Sequence, residues 1–258
     1  MIIKSPTPEL IPSMKDLWME AFGDGKEFVD TFFNTAYAPE RCRVAEVDGE
    51  AASALYILDF ELNGETSAYI YAVATAEKHR GRGICRALME DTHAYLKERG
   101  YAFAVLKPGE KSLFDFYRRM GYEICGSTAE VEVTSAETCV PVERIDRGTY
   151  RRLRLELMPE NGADFDEPSM RYLASYNELY SFDGGIFAAW RGDRELFSAE
   201  LLARDGCKVT GELLGGIVRS LGCERGIFRT VGDDVPFIMG YPLCSELPRY
   251  VYLGIAFD

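Results

Sequence analysis

Alternating apolar and polar residues predict that the first third of the chain contains an antiparallel sheet. Residues 42–47, 51–62 and 69–74 are apolar runs, and the dipeptides Asp48-Gly49 and Asn63-Gly64 precede the second and third of them. These dipeptides are preferred in tight hairpins. The pattern therefore predicts a three-stranded meander. Two helices are predicted ahead of it, at residues 13–22, with Ser13 as N-cap, and at residues 26–37.

The stretch that follows combines a strand, a glycine-bearing loop and a helix. After the strand at residues 69–74, residues 75–83 predict a tight loop and residues 84–99 an amphipathic helix. A helix that opens behind such a loop directs free backbone N–H groups and the positive end of its dipole at one spot. Four cations lie within nine residues here: Lys78, Arg80, Arg82 and Arg86. The sequence therefore predicts an anion-binding site.

Downstream, Gly100 is a helix stop signal, and residues 101–106 predict a strand parallel to the one before the helix, since crossovers are right-handed. Pro108-Gly109 then turns the chain into a short helix through Tyr117. Residues 131–134 are predicted to close the sheet.

The second half shows a similar succession without the cations. Helices are predicted at 149–157 and 169–176, and strands at 185–190, 195–202, 208–214 and 226–231. Gly215-Gly216 stands where the first half has its cationic loop. With a boundary near residues 136–142, this pattern predicts two domains, 1–138 and 139–258, of which the second is a degenerate copy.

Composition restricts the class of protein. The 258 residues are 47% hydrophobic and 28% charged, with a net charge of −13. This charge disfavours nucleic acid as a partner. We expect neither a membrane span nor a signal peptide, and hence a cytoplasmic protein, monomeric or homo-oligomeric. Seven cysteines without CxxC spacing indicate neither a disulfide framework nor a zinc site.

Two motifs resemble the GCN5-related N-acetyltransferase (GNAT) superfamily: RGRGICRAL at residues 80–88 and FYRRMGY at residues 116–122. Cys85 departs from that family's loop pattern by replacing its final small residue. The two-copy arrangement is similar to enhanced-intracellular-survival-type acetyltransferases without their third domain. The resemblance implies an α/β fold of tandem GNAT-like domains. Each would have a mostly antiparallel mixed sheet, a splayed parallel strand pair and flanking helices.

The resemblance also implies acetyl-CoA as co-substrate, no metal, and a set of site residues. The Val73 N–H would face the thioester oxygen, and Tyr117 would lie beside the coenzyme sulfur as acid or hydrogen-bond donor. Backbone N–H groups of the loop would hold the pyrophosphate. The implied coenzyme-binding residues are Val73, Ala74, Thr75, Arg80, Gly81, Arg82, Gly83, Ile84, Cys85 and Arg86.

The general base has no clear assignment, because the strand at 69–74 carries no acid. Glu61, with Asp59 on the same strand face, is one candidate, and a solvated face is the alternative. The two carboxylates of Asp258 are another, against an ordinary closing strand with a frayed end. His93 is expected to be solvated or half-buried. Acids of the first two helices either line a cleft for a cationic amine or form a solvated face: Glu20, Asp24, Glu27 and Asp30.

Together these features predict transfer of an acetyl group to a primary amine, small or peptidic, by direct attack without a covalent enzyme intermediate. A non-catalytic acyl-CoA-binding sensor or interaction protein is the alternative. Acyl transfer to a hydroxyl, or from larger acyl donors, is a third possibility.

Overall fold

The computed structural model describes residues 1–257, in which helices flank mixed β-sheet. The helices are α1 Ile11–Phe22, α2 Lys26–Thr35, α3 Ile84–Glu98, α4 Lys111–Arg118, α5 Arg147–Leu157, α6 Glu167–Tyr176 and α7 Gly211–Ser220. The strands are β1 Ile2–Lys4, β2 Cys42–Val47, β3 Glu50–Leu62, β4 Glu65–Thr75, β5 Phe103–Leu106, β6 Glu123–Thr134, β7 Val142–Arg144, β8 Asp164–Phe165, β9 Glu178–Phe182, β10 Gly185–Arg191, β11 Glu195–Ala203 and β12 Arg225–Pro242. The predicted α/β fold class is confirmed. None of the helices in residues 1–257 has the length and apolar character needed to cross a membrane.

The chain divides into two compact units, each drawn from several stretches. The first comprises Met1–Ile124, Phe165–Tyr172 and Met239–Pro248. The second comprises Cys125–Asp164, Leu173–Ile238 and the chain from Arg249 onward. The assignment of residues 1–138 and 139–258 to two GNAT-like domains stays a prediction.

In the first unit, β1 to β4 are antiparallel neighbours, and β5 runs parallel to β4. The end of β12 pairs with β5, with Met239 opposite Leu106. The predicted meander and parallel strand are therefore confirmed. Helix α3 buries Leu88, Met89 and Leu96 in the same apolar core as the sheet residues Ile57 and Ile70. Apolar residues three, four and seven apart on a helix form one face, which explains why α3 packs this way.

Strands β4 and β5 pair along only a short part of β4. Their ladder joins Ala68 to Ala104 and Tyr69 to Val105, whereas β4 continues to Thr75. On its other side β4 carries a bulge: Ala54 faces Ala74 and Tyr56 faces Tyr71, so Ala72 and Val73 oppose the single residue Leu55. Ala72 has φ +47°. The parallel pair is thus splayed from residue 70 onward.

The second unit has the strand order β7-β9-β10-β11-β12, with β6 also pairing with β12. Helix α7 connects β11 to the parallel strand β12. Three antiparallel strands (β9, β10, β11), a helix and a parallel strand therefore follow one another as β2, β3, β4, α3 and β5 do in the first unit. Strand β9 supplies the first of the three, a strand that the sequence analysis missed.

The predicted strand at residues 208–214 is wrong, because α7 begins at Gly211. Leu214, Ile217 and Val218 are buried at helical spacing, which a strand could not bury on one face. Gly215 and Gly216 lie inside this helix rather than in a loop. A Cβ on Gly215 would come within 2.7 Å of the Thr134 carbonyl oxygen, and one on Gly216 within 2.5 Å of Val140. Glycine here therefore permits the close approach of a neighbouring segment.

Ser13 does not cap α1, which begins two residues earlier at Ile11. Its hydroxyl donates to the Leu10 carbonyl oxygen at 3.0 Å and accepts from the Ala51 N–H at 3.1 Å. The side chain therefore ties the first helix to β3.

Candidate active site

The loop between β4 and α3 forms a cradle of backbone amides. Gly81 and Gly83 have φ values of +74° and +76°, which glycine adopts without the steric penalty of a Cβ. Gly83 is the N-cap of α3 and contributes no side chain to it. In the first turn of a helix the N–H groups have no intrahelical acceptor, so those of Ile84, Cys85 and Arg86 remain available. This is the arrangement expected of an anion-binding helix terminus.

The cradle opens into a cleft of about 470 Å³ along the splayed end of β4. It contains nine of the ten predicted coenzyme-binding residues, all except Arg82, together with Tyr117. The lining comprises Ala21, Phe22, Val73, Ala74, Thr75, His79, Arg80, Gly81, Gly83, Ile84, Cys85, Arg86, Leu113, Phe116 and Tyr117. Arg82 is exposed in the same loop. The fold thus brings the two sequence motifs to one site.

Two of the loop arginines contact carbonyl oxygens. Arg80 Nε donates to the Thr75 carbonyl oxygen at 3.1 Å, and Arg86 Nη1 to that of Arg119 at 3.5 Å. Lys78 differs, because its Nζ lies 2.6 Å from Glu50 Oε2. Since a carbonyl does not neutralise a guanidinium, the Arg80 and Arg86 charges remain to attract an anion.

Tyr117 stands on α4 at the apolar end of the cleft and is only 6% exposed. Its ring packs edge-on against Phe116 and Tyr122, at centroid distances of 5.2 and 5.7 Å. Burial raises the pKa of the Tyr117 hydroxyl, and burial also raises the pKa of the Cys85 thiol to about 11. Both groups therefore stay protonated at neutral pH, so that Tyr117 can donate a hydrogen bond and Cys85 is not a thiolate.

His93 is buried, contrary to the prediction that it is solvated or half-buried. Its Nε2 lies 2.8 Å from the Tyr122 hydroxyl, and its ring stacks on Tyr241 at 4.0 Å. Burial, with a smaller contribution from the charge of Lys97, lowers its pKa to about 4. Helical spacing could have revealed its position, since His93 follows the buried Met89 by four residues.

Glu61 lies far from the cleft. It pairs with Thr66 near the β3–β4 turn, seven residues before Val73 on β4. At a rise of about 3.3 Å per residue this places it about 23 Å along the sheet from the splayed segment. Asp59 is likewise engaged elsewhere, in an ion pair with Arg41 at 3.0 Å. The prediction of Glu61 as base is therefore corrected, because a proton cannot be transferred directly over that distance.

Asp258, the other predicted base, lies outside the described residues. The segment before it, 251–257, is buried in the second unit. A fully buried ion pair holds this segment: Arg154 Nε lies 2.8 Å from Glu200 Oε2, and Arg154 Nη2 donates to the Leu253 carbonyl oxygen at 3.0 Å. The Tyr252 hydroxyl donates to Glu200 Oε1 at 3.0 Å. Such a network has well-defined geometry because each partner would be costly to leave unpaired.

The acids of the first two helices and of the loop between them have different surroundings. Glu20 accepts the Glu77 N–H at 2.7 Å, and Asp30 pairs with Lys15 and with Lys26. Asp24 follows the cleft residue Phe22 by two positions and accepts the indole N–H of Trp18 at 2.7 Å.

As far as Phe257, the second unit shows no corresponding cradle. Its parallel strands stay paired from Glu195 opposite Arg225 to Leu201 opposite Thr230, with one irregularity. The Thr210 side chain caps α7 by accepting the Leu213 N–H, and Glu212 lies in the first helical turn. A hydroxyl cap and a carboxylate both oppose an anion at this helix terminus.

Lowering the pH should destabilise the first unit through His93. The folded-state pKa of about 4 lies below the ordinary 6.5, so unfolding binds a proton between these two values. Stability is therefore retained above pH 6.5 and falls towards pH 4, by up to about 3 kcal/mol in all. Urea unfolding at several pH values would measure this. His93→Gln should show a smaller decrease over the same range, and equal slopes for both proteins would contradict the assignment.

Comparison with known proteins finds a family match for the first part of the chain. Residues 3–125 match the acetyltransferase (GNAT) domain. A stretch of 72 residues is 25% identical to a probable N-acetyltransferase family 8 member 5 of Mus musculus, and covers 27% of this chain and 32% of that relative. The match thus spans about a third of the relative's length.

Solved structures extend the similarity of fold to nearly the whole chain. A GCN5-related N-acetyltransferase from Anabaena variabilis aligns with a TM-score of 0.72 at 18% identity, over 94% of this chain and 72% of that one. Eis1 from Mycobacterium abscessus aligns with a TM-score of 0.60 at 14% identity, over 98% of this chain and 69% of that one. A tandem GNAT protein from the clavulanic acid biosynthesis pathway aligns with a TM-score of 0.56 at 10% identity, over 93% of this chain and 97% of that one. Residues 3–125 therefore match the acetyltransferase (GNAT) domain, and the fold of nearly the whole chain is similar to that of solved GNAT proteins, a tandem GNAT protein among them.

Proposed function

We propose that this chain is an acetyl-CoA-dependent N-acetyltransferase that transfers the acetyl group of the coenzyme A thioester to a primary amine. The observation that carries the proposal is the cleft itself. One continuous space joins an amide cradle with unneutralised arginines, a splayed strand and a protonated tyrosine. These are the groups that an acyl-CoA requires along its length.

The coenzyme fits this cleft by its chemistry. Its pyrophosphate would accept hydrogen bonds from the amides between Gly81 and Arg86, with Arg80 and Arg86 adding charge. The pantetheine arm would lie beside the residues of β4 that have no partner on β5. At the bulge, the Val73 N–H would donate to the thioester oxygen, where negative charge develops during attack.

The reaction would proceed by direct attack. The amine nitrogen forms a bond to the thioester carbonyl carbon, the carbon–sulfur bond breaks, and the sulfur leaves with the electron pair. The Tyr117 hydroxyl donates a hydrogen bond to this sulfur. Because the Cys85 thiol is protonated, no acyl-enzyme through that residue is expected. Before attack, the acceptor ammonium loses one proton to a base on the acceptor side, for which Asp258 stays a prediction. The nitrogen loses a second proton as the amide forms, and this proton balances the charge of the departing thiolate.

The acceptor is proposed to be cationic, small or peptidic, and to enter past Phe22 and Asp24. Trp18 lies between Asp24 and the splayed part of β4. Its indole donates to the Asp24 carboxylate, and its ring centroid lies 5.5 Å from that of Tyr71. Tyr71 directly precedes the bulge. Burial, with a contribution from the charge of Asp24, raises the pKa of Tyr172, whose hydroxyl lies 3.3 Å from that of Tyr71. A carboxylate at the rim of aromatic rings suits an ammonium group.

One observation favours a non-catalytic acyl-CoA sensor as the second candidate. The residues that line the cleft include no carboxylate in the described part of the chain. Binding of acetyl-CoA without turnover on any amine would establish this alternative.

The proposed activity is tested with acetyl-CoA and a panel of aminoglycosides, polyamines, amino acids and lysine peptides, with detection of the released thiol. We expect turnover with at least one amine. Tyr117→Phe should lower kcat more than tenfold while the acetyl-CoA Kd changes less than twofold, because the hydroxyl acts on the leaving sulfur. An unchanged kcat would remove Tyr117 from the reaction.

Asp24→Asn should raise the KM for cationic acceptors about tenfold, which corresponds to ~1.4 kcal/mol of lost charge attraction. Asparagine can still accept the Trp18 hydrogen bond, so the fold is preserved. Glu90→Gln, an exposed position on α3, is the control for the change in net charge. Equal KM values for wild type and Asp24→Asn would place the acceptor elsewhere.

Gly83→Ala should weaken acetyl-CoA binding about tenfold or more, because alanine is strained at φ +76° and its methyl group would face the pyrophosphate. Isothermal titration calorimetry measures the effect. Gly100→Ala is a matched control: it has φ +77° and, like Gly83, no atom within 4 Å of a Cβ, but it lies at the other end of α3. Wild-type affinity in Gly83→Ala would place the coenzyme outside this cradle.

A further inference from the structure

A polar pair lies buried behind Tyr117, inside an otherwise apolar core. Tyr122 is 1% exposed, and its hydroxyl meets His93 Nε2 at 2.8 Å. The residues packed around Tyr122 are mostly aliphatic or aromatic, including Leu88 and Met239. A phenylalanine at position 122 would fill the same space without a polar atom to satisfy. Packing alone therefore does not explain why position 122 carries a tyrosine hydroxyl.

His93 is itself held in place from a second direction. Its ring stacks on Tyr241 with an interplanar angle of 10°. Tyr241 belongs to the end of β12 and pairs there with Ala104 of β5. Stacking and hydrogen bonding together leave the imidazole, and hence the Tyr122 hydroxyl, a single position relative to the sheet. Either polarity of the bond, with Tyr122 or with His93 as donor, has this effect.

Tyr117 depends on its neighbours for orientation. Among the described residues its hydroxyl makes no hydrogen bond. Its ring is set instead by edge-on packing between Phe116 and Tyr122, with an angle of 62° to the Tyr122 ring. A ring that rests on apolar contacts can slide or tilt, unless one of the surfaces that it packs against is fixed. Tyr122 is the neighbour that has a directional bond.

We infer that Tyr122, locked by its hydrogen bond to His93, is a positioning residue that holds the Tyr117 hydroxyl in line with the coenzyme sulfur. The inference rests on the proposed role of Tyr117. Neither Tyr122 nor His93 touches the reacting atoms. Their effect is on geometry, to which transfer reactions are sensitive because a displacement of about 1 Å at a reacting group can lower the rate by a large factor.

A double-mutant cycle tests the inference. Tyr122→Phe removes only the hydroxyl, and we expect it to lower kcat about threefold to tenfold with the acetyl-CoA Kd unchanged. In a Tyr117→Phe background the same substitution should have no further effect, because the group that it positions is absent. His93→Gln, whose amide can bond to Tyr122, should retain more activity than His93→Leu. The thermal unfolding midpoint of each variant shows that it is folded.

Tyr95→Phe is the matched control, since Tyr95 lies two residues from His93 on α3 and its hydroxyl donates to the Glu40 carbonyl oxygen at 2.6 Å. It should keep the wild-type kcat. If Tyr117→Phe lowers kcat and Tyr122→Phe does not, the inference about Tyr122 is overturned while the proposed role of Tyr117 stands. The inference is also overturned if Tyr122→Phe lowers kcat by the same factor in the wild-type and Tyr117→Phe proteins, because this would indicate a general loss of structure. A wild-type kcat in Tyr117→Phe would remove the proposed role of Tyr117 and this inference with it.

Discussion

The separation of β4 from β5 beyond Tyr69 is the constraint on which the rest of the site depends. Two parallel strands ordinarily continue their ladder, and here a bulge turns one of them away. Ala72 has φ +47°, a conformation that costs a residue with a Cβ about 1 kcal/mol or more. The neighbouring Tyr71 packs against Trp18 at 5.5 Å and against Phe32 at 5.7 Å. These aromatic contacts on the preceding residue offset part of the strain at the bulge.

The same constraint explains how the two units differ although their elements follow in the same order. In the second unit the ladder between β11 and β12 continues, with one irregularity, from Glu195 opposite Arg225 to Leu201 opposite Thr230. Gly215 and Gly216 then serve a different purpose from the loop glycines of the first unit. Their missing side chains admit a segment whose Ala136 and Val140 N–H groups donate to the carbonyls of the two glycines, at 3.0 and 3.1 Å. A surface occupied by the chain itself cannot also receive a ligand.

Local signals in the sequence sufficed for the meander and the loop of the first unit. The turns at Asp48 and Asn63 have positive φ values, and β2 has the predicted bounds, because hairpin turns are encoded by two residues. The glycines of the second half show where this reasoning fails. Glycine is equally suitable for a loop and for a close contact within a helix, and only the three-dimensional neighbour decides between them. The pairing of His93 with Tyr122 was missed for the same reason, since 29 residues separate its members.

Charge is divided along the cleft in a way that bears on the mechanism. At the loop, Arg80 and Arg86 donate hydrogen bonds to carbonyl oxygens and keep their positive charge for an anion. Elsewhere in the cleft lining, burial keeps the Tyr117 hydroxyl and the Cys85 thiol neutral. A hydrogen bond to a developing thiolate is strong in such a poorly solvated environment. The same environment disfavours a free charge. The ammonium group of an acceptor must lose a proton before its nitrogen can attack, and the lining residues in the described part of the chain include no carboxylate to take that proton.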